Sequence, residues 1–143
     1  MRVYLDNCCY NRPFDDQSQL KVRLEAEAKL EVQRQMRAGE VEYVWSEMLD
    51  SEALDSPFTD RKIRILRWRV DAVDYVDTDE DLLTRAEEIM EYDVKSSDAI
   101  HLASAERAGC DWFLTVDKGI LNKGVDLGSV RIANPFDYVR ETL

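Results

Sequence analysis

The chain of 143 residues predicts an α/β fold: three layers, α/β/α, around a mostly parallel sheet of about five strands. Three observations predict it. Short apolar runs alternate with longer stretches of helix formers, the pattern of parallel strands joined by crossover helices and covered on both faces. Five glycines and three prolines are few, which suits a compact, helix-rich chain. No linker, low-complexity tract or internal repeat interrupts the alternation, so residues 1–143 read as one domain.

The first strand is Val3-Tyr4-Leu5, a short buried run closed by Asp6-Asn7. Asn11 to Asp16 reads as a loop, with Pro13 as the breaker. From Ser18 to about Ala38 the apolar residues alternate like a strand, but Leu, Ala, Glu, Lys, Arg and Gln are good helix formers. The length also favours a helix, one with apolar residues on two sides, and Gly39 stops it. One apolar side would face the sheet and the other a neighbouring helix or a second subunit, which hints at a homodimer.

Glu42 to Trp45 is the second strand, and Ser46 caps a helix running through Leu54. Pro57 opens a helix from Phe58 to about Arg69. Ala72 to Val76 is the third strand. Thr78 or Asp79 caps a helix reaching Tyr92, with Leu82, Leu83, Ala86, Ile89 and Met90 on one face. Ser96 or Ser97 caps the next, Asp98 to Ala108, ended by Gly109. Trp112 to Val116 is the clearest strand, Val130 to Ile132 a short last one, and Pro135 opens a C-terminal helix.

Thirty acidic against 19 basic residues leave a formal charge of −11. Proteins that coat DNA or lie on membranes depend on the opposite excess. No run approaches the roughly 18 apolar residues of a membrane span. The start, Met1 to Asp6, has no signal-peptide core, so a cytoplasmic protein is expected. Three cysteines, two of them adjacent (Cys8, Cys9 and Cys110), suit a reducing compartment. The single histidine, His101, rules out an HExxH zinc site.

In a parallel sheet, ligands bind beyond the carboxyl ends of the strands. Asp6 and Asp117 each follow a strand, so both sit at that edge. A crossover helix starts at the same edge, which brings Asp98 there, with Glu47 and Glu52 from the helix after the second strand. Converging carboxylates repel and raise one another's pKa unless a cation is bound. Oxygen ligands of this kind suit Mg²⁺ or Mn²⁺, which generate hydroxide near neutral pH and steady a phosphate under in-line attack. Any one of 30 acids is by default a solvated surface group, so the argument rests on the convergence.

Asp6 in Val-Tyr-Leu-Asp-Asn, the segment Lys95-Ser-Ser-Asp98-Ala-Ile-His-Leu-Ala-Ser-Ala105, and Phe113-Leu-Thr-Val-Asp117-Lys-Gly-Ile-Leu121 together resemble the PIN domain. The resemblance spans nearly the whole chain. It implies a PIN-like fold and a Mg²⁺- or Mn²⁺-dependent endoribonuclease that leaves a 5′-phosphate and a 3′-hydroxyl. Stand-alone bacterial members of this size are often VapC-type toxins held in check by an antitoxin. Carried over by position, Asp6, Asp98 and Asp117 would be catalytic metal-site acids. The family's second acid falls on Glu52, with Glu47 as rival, because it normally lies a few residues into its helix. Asn7 and Thr115 match positions of small polar residues that support the site. Cys8-Cys9 is not a general family feature and carries no expected role.

Arg61, Lys62, Arg64, Arg67 and Arg69, with Trp68 among them, form the one basic cluster. Arg12, Arg61, Arg64 and Arg67 are candidates for RNA binding through phosphates, with stacking on Trp68. The blander reading is a solvated helix face with Ile63, Leu66 and Val70 packed beneath. His101, one turn after Asp98, reads as a packed or hydrogen-bonded residue before a ligand, and Cys110 as core packing. Two other functions compete with the nuclease. A catalytically weak PIN fold could serve as a binding or regulatory module. A phospho-acceptor domain also places Asp at strand ends, but Cys8 stands where such a phosphatase needs its second Asp.

Overall fold

The computed structural model describes residues 1–11 and 18–143. The Asn11–Asp16 loop from Arg12 on, and with it the RNA-binding candidate Arg12, lies outside the described residues. Among those described, five parallel strands form one sheet in the order β3-β2-β1-β4-β5. They are β1 (Arg2–Leu5), β2 (Glu42–Ser46), β3 (Asp74–Val76), β4 (Trp112–Leu114) and β5 (Arg131–Ala133). The helices are α1 (Asn7–Asn11), α2 (Leu20–Arg37), α3 (Glu47–Leu54), α4 (Thr59–Leu66), α5 (Glu80–Ile89), α6 (Ser96–Arg107), α7 (Lys118–Leu121) and α8 (Pro135–Thr142). None is long and apolar enough to cross a membrane.

The register pairs Val3 with Tyr43 and with Trp112, and Tyr4 with Phe113. Side chains alternate across the sheet, so Val3 and Trp112 face one way and Tyr4 and Phe113 the other. On the first face Tyr138 of α8 packs edge-on against Trp112 and donates a hydrogen bond to Gln35 of α2. On the second, Tyr4 stacks on Phe113 and meets His101 of α6. Val3, Tyr4 and Leu5 are completely buried, as the central strand of a sheet covered on both sides must be. The three-layer α/β/α arrangement matches the expectation.

The long N-terminal segment is a helix despite its strand-like alternation, and its burial does not follow polarity. It buries Ala26, Ala28, Lys29, Val32, Gln33 and Met36 while leaving Leu20, Leu24 and Leu30 exposed. Lys29 is accommodated because its Nζ donates to the Cys8 carbonyl at 2.7 Å, tying α2 to α1. Gly39, at φ +73°, lets the Glu40 amide turn back to the Gln35 carbonyl and end the helix.

Several boundaries differ from expectation for local reasons. The segment after Asp6 forms α1 directly, because the Cys9 amide closes onto the Asp6 carbonyl. The helix expected to reach Arg69 ends at Leu66 and tightens into a 3-10 turn, Arg67–Asp71, where the Tyr43 hydroxyl donates to the Trp68 carbonyl. This turn shortens the third strand to Asp74–Val76. Asp79 caps α5, its side chain accepting from the Leu82 amide, but α5 ends at Ile89 and leaves Leu83 and Met90 exposed. Neither Ser96 nor Ser97 is a cap. The helix already includes both, with Lys95 extended before them and no side-chain cap. The β4 strand stops at Leu114 because the Thr115 side chain turns into the site described next.

Candidate metal centre

Parallel strands and crossover helices deliver their ends to one edge, and there a crevice of about 310 Å³ opens. Asp6, Glu52, Asp98 and Asp117 all line it, with Asn7 and Cys8 beside them. Each acid arrives by a different element. Asp6 follows β1, and its amide still bonds across to the Leu114 carbonyl at 2.9 Å. Glu52 projects from α3, which Ser46 caps by accepting from the Leu49 amide. Asp98 sits in the first turn of α6, where the helix dipole favours an acid. Asp117 caps α7, accepting from the Gly119 amide at 2.7 Å.

Asp6 is nearly buried and rigidly held. Its Oδ1 accepts from the Asn7 amide at 2.8 Å, and its Oδ2 accepts from the Thr115 hydroxyl at 2.8 Å. The same Thr115 Oγ1 accepts from the Asp117 amide at 3.1 Å, so this buried residue couples two of the acids. Asn7 contributes its backbone to Asp6. Its side-chain Oδ1 is a buried acceptor with no partner among the described residues.

Burial, then the negative charge of Asp6, pushes the Asp98 carboxyl up to about 6; Lys95 opposes this and Asp117 adds to it. Burial disfavours a charged His101. The hydrogen bond that His101 donates to Glu52, with the charges of Asp6, Glu52 and Asp98, outweighs that and raises its pKa above the usual histidine value. Such shifts show a crevice short of positive charge. Four carboxylates and an orphaned amide oxygen form an oxygen-rich donor set, and that chemistry fits a hard divalent cation such as Mg²⁺ or Mn²⁺. Asp6, Glu52 and His101 each bring one donor atom to within 4.8 Å of the others, a cluster able to hold a divalent metal.

The rival Glu47 is drawn elsewhere. It is exposed, and its Oε2 accepts from the Thr78 amide at 2.8 Å, which anchors the loop before α5. Asp50, on the same helix, accepts from Trp45 Nε1 and the Tyr75 hydroxyl and pairs with Arg69.

Of the RNA-binding candidates, Arg61, Arg64 and Arg67 do not line the crevice. Arg64 and Arg67 line a separate cavity of about 1040 Å³ beside Arg37 and Trp68, with no described lining residue in common with the acidic one. The guanidinium of Arg37 covers a face of the Trp68 ring at 4.5 Å, and Arg61 lies over Phe58 at 4.4 Å. Nor is this simply a solvated face over a packed one, since Ile63 and Val70 are exposed along with Arg64, Arg67 and Arg69.

Two further residues contribute, of which only Cys8 had no expected role. Cys8 lies with its Sγ 3.5 Å from both Asp6 Oδ2 and Thr115 Oγ1, brought back by the turn of α1. His101 is completely buried outside the crevice lining and hydrogen-bonds both Tyr4 and Glu52, the hydrogen-bonded residue the sequence suggested. Its position one turn after Asp98 was the available signal. For Cys8 the signal would have been the unanticipated helix.

The fold and this edge of carboxylates define an α/β protein with a nuclease-like acidic centre. Residues 18–125 match the PIN domain family, and the chain belongs to that family. Its structure is similar to that of VapBC2 from Rickettsia felis bound to a DNA fragment from their promoter, with a TM-score of 0.60 at 9% identity. The match covers 94% of this chain and 98% of that one. At that identity the likeness concerns the fold. No curated protein matches the chain.

Proposed function

We propose that this protein is a metal-dependent endoribonuclease that hydrolyses RNA phosphodiester bonds, with Asp6, Glu52, Asp98 and Asp117 as its catalytic acids. The observation that carries the reading is that these four carboxylates, from four separate elements, line a single crevice. Mg²⁺ or Mn²⁺ held there would supply an activated water and offset the charge of the attacked phosphate.

The chain's own residues prepare that chemistry. Thr115 and the Asn7 amide fix both oxygens of Asp6, so the most buried acid is preorganised. Asp98, with its raised pKa, holds a proton more readily than an ordinary carboxyl when no cation is present. Lys95, at the crevice mouth, is the basic side chain among the described residues of its lining and is placed to meet a phosphate. A net charge of −11 makes RNA binding depend on such local positive charge, with Arg12, Arg61, Arg64 and Arg67 as candidates for contacts farther along the strand. Resemblance to VapC-type toxins extends the proposal to a homodimer restrained by an antitoxin partner in a cytoplasmic setting.

Incubating the protein with a pool of structured and single-stranded RNA in Mn²⁺ or in EDTA tests the reading. The expected result is cutting in Mn²⁺ alone, with 5′-phosphate and 3′-hydroxyl ends. Intact RNA after incubation with folded, Mn²⁺-saturated protein would favour the binding or regulatory module instead.

A further inference from the structure

Behind the crevice runs a buried chain of polar groups. Ser46 Oγ accepts from the Leu49 amide and lies 2.7 Å from the Tyr4 hydroxyl. The Tyr4 hydroxyl lies 2.5 Å from His101 Nδ1, and His101 Nε2 hydrogen-bonds Glu52 Oε1. Ser46, Tyr4 and His101 are all completely buried. They come from the end of β2, from β1 and from α6, so the chain ties three elements to the carboxylate of a fourth.

The direction of the bond to Glu52 follows from donor counts. A carboxylate only accepts, so the hydrogen between His101 and Glu52 resides on Nε2. The Nδ1 atom meets the Tyr4 hydroxyl, which also bonds Ser46, and a hydroxyl can serve as donor or acceptor to either. Both ring nitrogens are therefore engaged. The same Nε2 lies 3.7 Å from Asp6 Oδ1, between two acids that would otherwise repel. His101 is also absent from the lining of the crevice that Asp6 and Glu52 share.

We propose that His101 is a positioning residue rather than a metal ligand: anchored by Tyr4 and Ser46, it holds Glu52 at the crevice through Nε2–H and separates the Glu52 and Asp6 carboxylates. The inference rests on the metal-site reading above. It assigns a function to the buried His-Tyr-Ser chain, and it distinguishes His101 from the acids although its nitrogen lies close enough to join them. Glutamine can place an N–H near the position of Nε2 but offers no imidazole lone pair, whereas leucine offers neither.

The test is the Mn²⁺ dissociation constant of the metal-free protein by calorimetry, with no RNA present, for wild type, His101→Gln and His101→Leu. Outer hydrogen bonds to metal ligands are typically worth about 10–100-fold in affinity, so His101→Leu should bind at least about tenfold more weakly, with His101→Gln within about threefold of wild type. Glutamine as damaging as leucine would mean that His101 is itself a ligand, and equal affinity in all three would mean that it does nothing for the site. Either result overturns the proposal. Absence of saturable binding by the wild type would bring down the metal-site reading and this inference together, which separates the two failures.

Nitrogen-15 spectra of the wild-type ring keep the question decidable if the leucine variant does not fold. His101 is the only histidine of the chain, so its two ring nitrogens give the only imidazole signals. Nε2 keeps its proton at saturating Mg²⁺ if His101 positions Glu52. Loss of that proton with a shift of Nε2 as metal is added would overturn the proposal.

Discussion

The Thr115 hydroxyl donates to Asp6 Oδ2 at 2.8 Å and accepts from the Asp117 amide at 3.1 Å, so a single buried oxygen joins the acids that follow two adjacent strands. Removing that oxygen while keeping the shape isolates its contribution. Thr115→Val should cost about 1–2 kcal/mol of stability, because it leaves a buried carboxylate oxygen short of a donor. It should also weaken Mn²⁺ binding by about tenfold. Urea unfolding and calorimetry check the two effects, and wild-type values in both would mean that the bond is incidental.

Glu52 and Glu47 lie five positions apart on one helix yet point to different tasks. Glu52→Gln should weaken Mn²⁺ binding by at least about tenfold. Glu47→Gln should leave it unchanged, since Glu47 serves the Thr78 amide. Parallel titrations of the two variants decide the matter, and the opposite ranking would transfer the second acid to Glu47.

Asp98 gives a pH dependence whose sign is fixed by its raised pKa. The folded, metal-free protein holds this proton up to about 6, whereas the unfolded chain releases it near the ordinary value of 3.8. Stability from this group is thus fully present below 3.8 and is lost as the pH rises through about 6. Asp98→Asn should therefore make the metal-free protein more stable at pH 7.5 by about 1–3 kcal/mol, with the gain fading toward pH 4. Denaturant midpoints across that range test it, and a variant less stable at pH 7.5 would reverse the argument. Mn²⁺ should stabilise the wild type more at pH 7.5 than at pH 5, because a proton competes with the metal for this acid.

Cys8 reports on the crevice without any reaction. Its sulfur lies 3.5 Å from Asp6 Oδ2, whereas Cys9 and Cys110 are buried. Mn²⁺ should slow alkylation of Cys8 several-fold, read by mass spectrometry, with the two buried thiols unreactive in native protein. Labelling of Cys8 at an equal rate with and without metal would place the cation elsewhere.

Much of this was legible in the sequence, for definable reasons. Strand ends and helix starts are local features, and parallel topology sends them all to one edge. Asp6, Asp98 and Asp117 could therefore be brought together before any coordinates. Ser46 and Asp79 were readable as caps because a cap is a short-range hydrogen bond. What depended on tertiary contacts was not legible. The buried state of Lys29 depends on the Cys8 carbonyl 21 residues away, and the end of α4 on the hydroxyl of Tyr43 in β2. The partnership of Tyr4 with His101 joins residues 97 apart, and neither periodicity nor propensity records it. Arg64 and Arg67 looked like part of one basic surface, but the fold turns them toward a different cavity from the acids.

The most direct measurement is the rate of RNA cleavage in Mn²⁺ by the wild type, Asp6→Asn and Asp98→Asn at matched concentration, with circular dichroism as the control for folding. The account predicts cutting by the wild type that EDTA abolishes, and a loss of at least about 100-fold in each folded variant. Cleavage that survives in either folded variant, or that proceeds unchanged in EDTA, would contradict it.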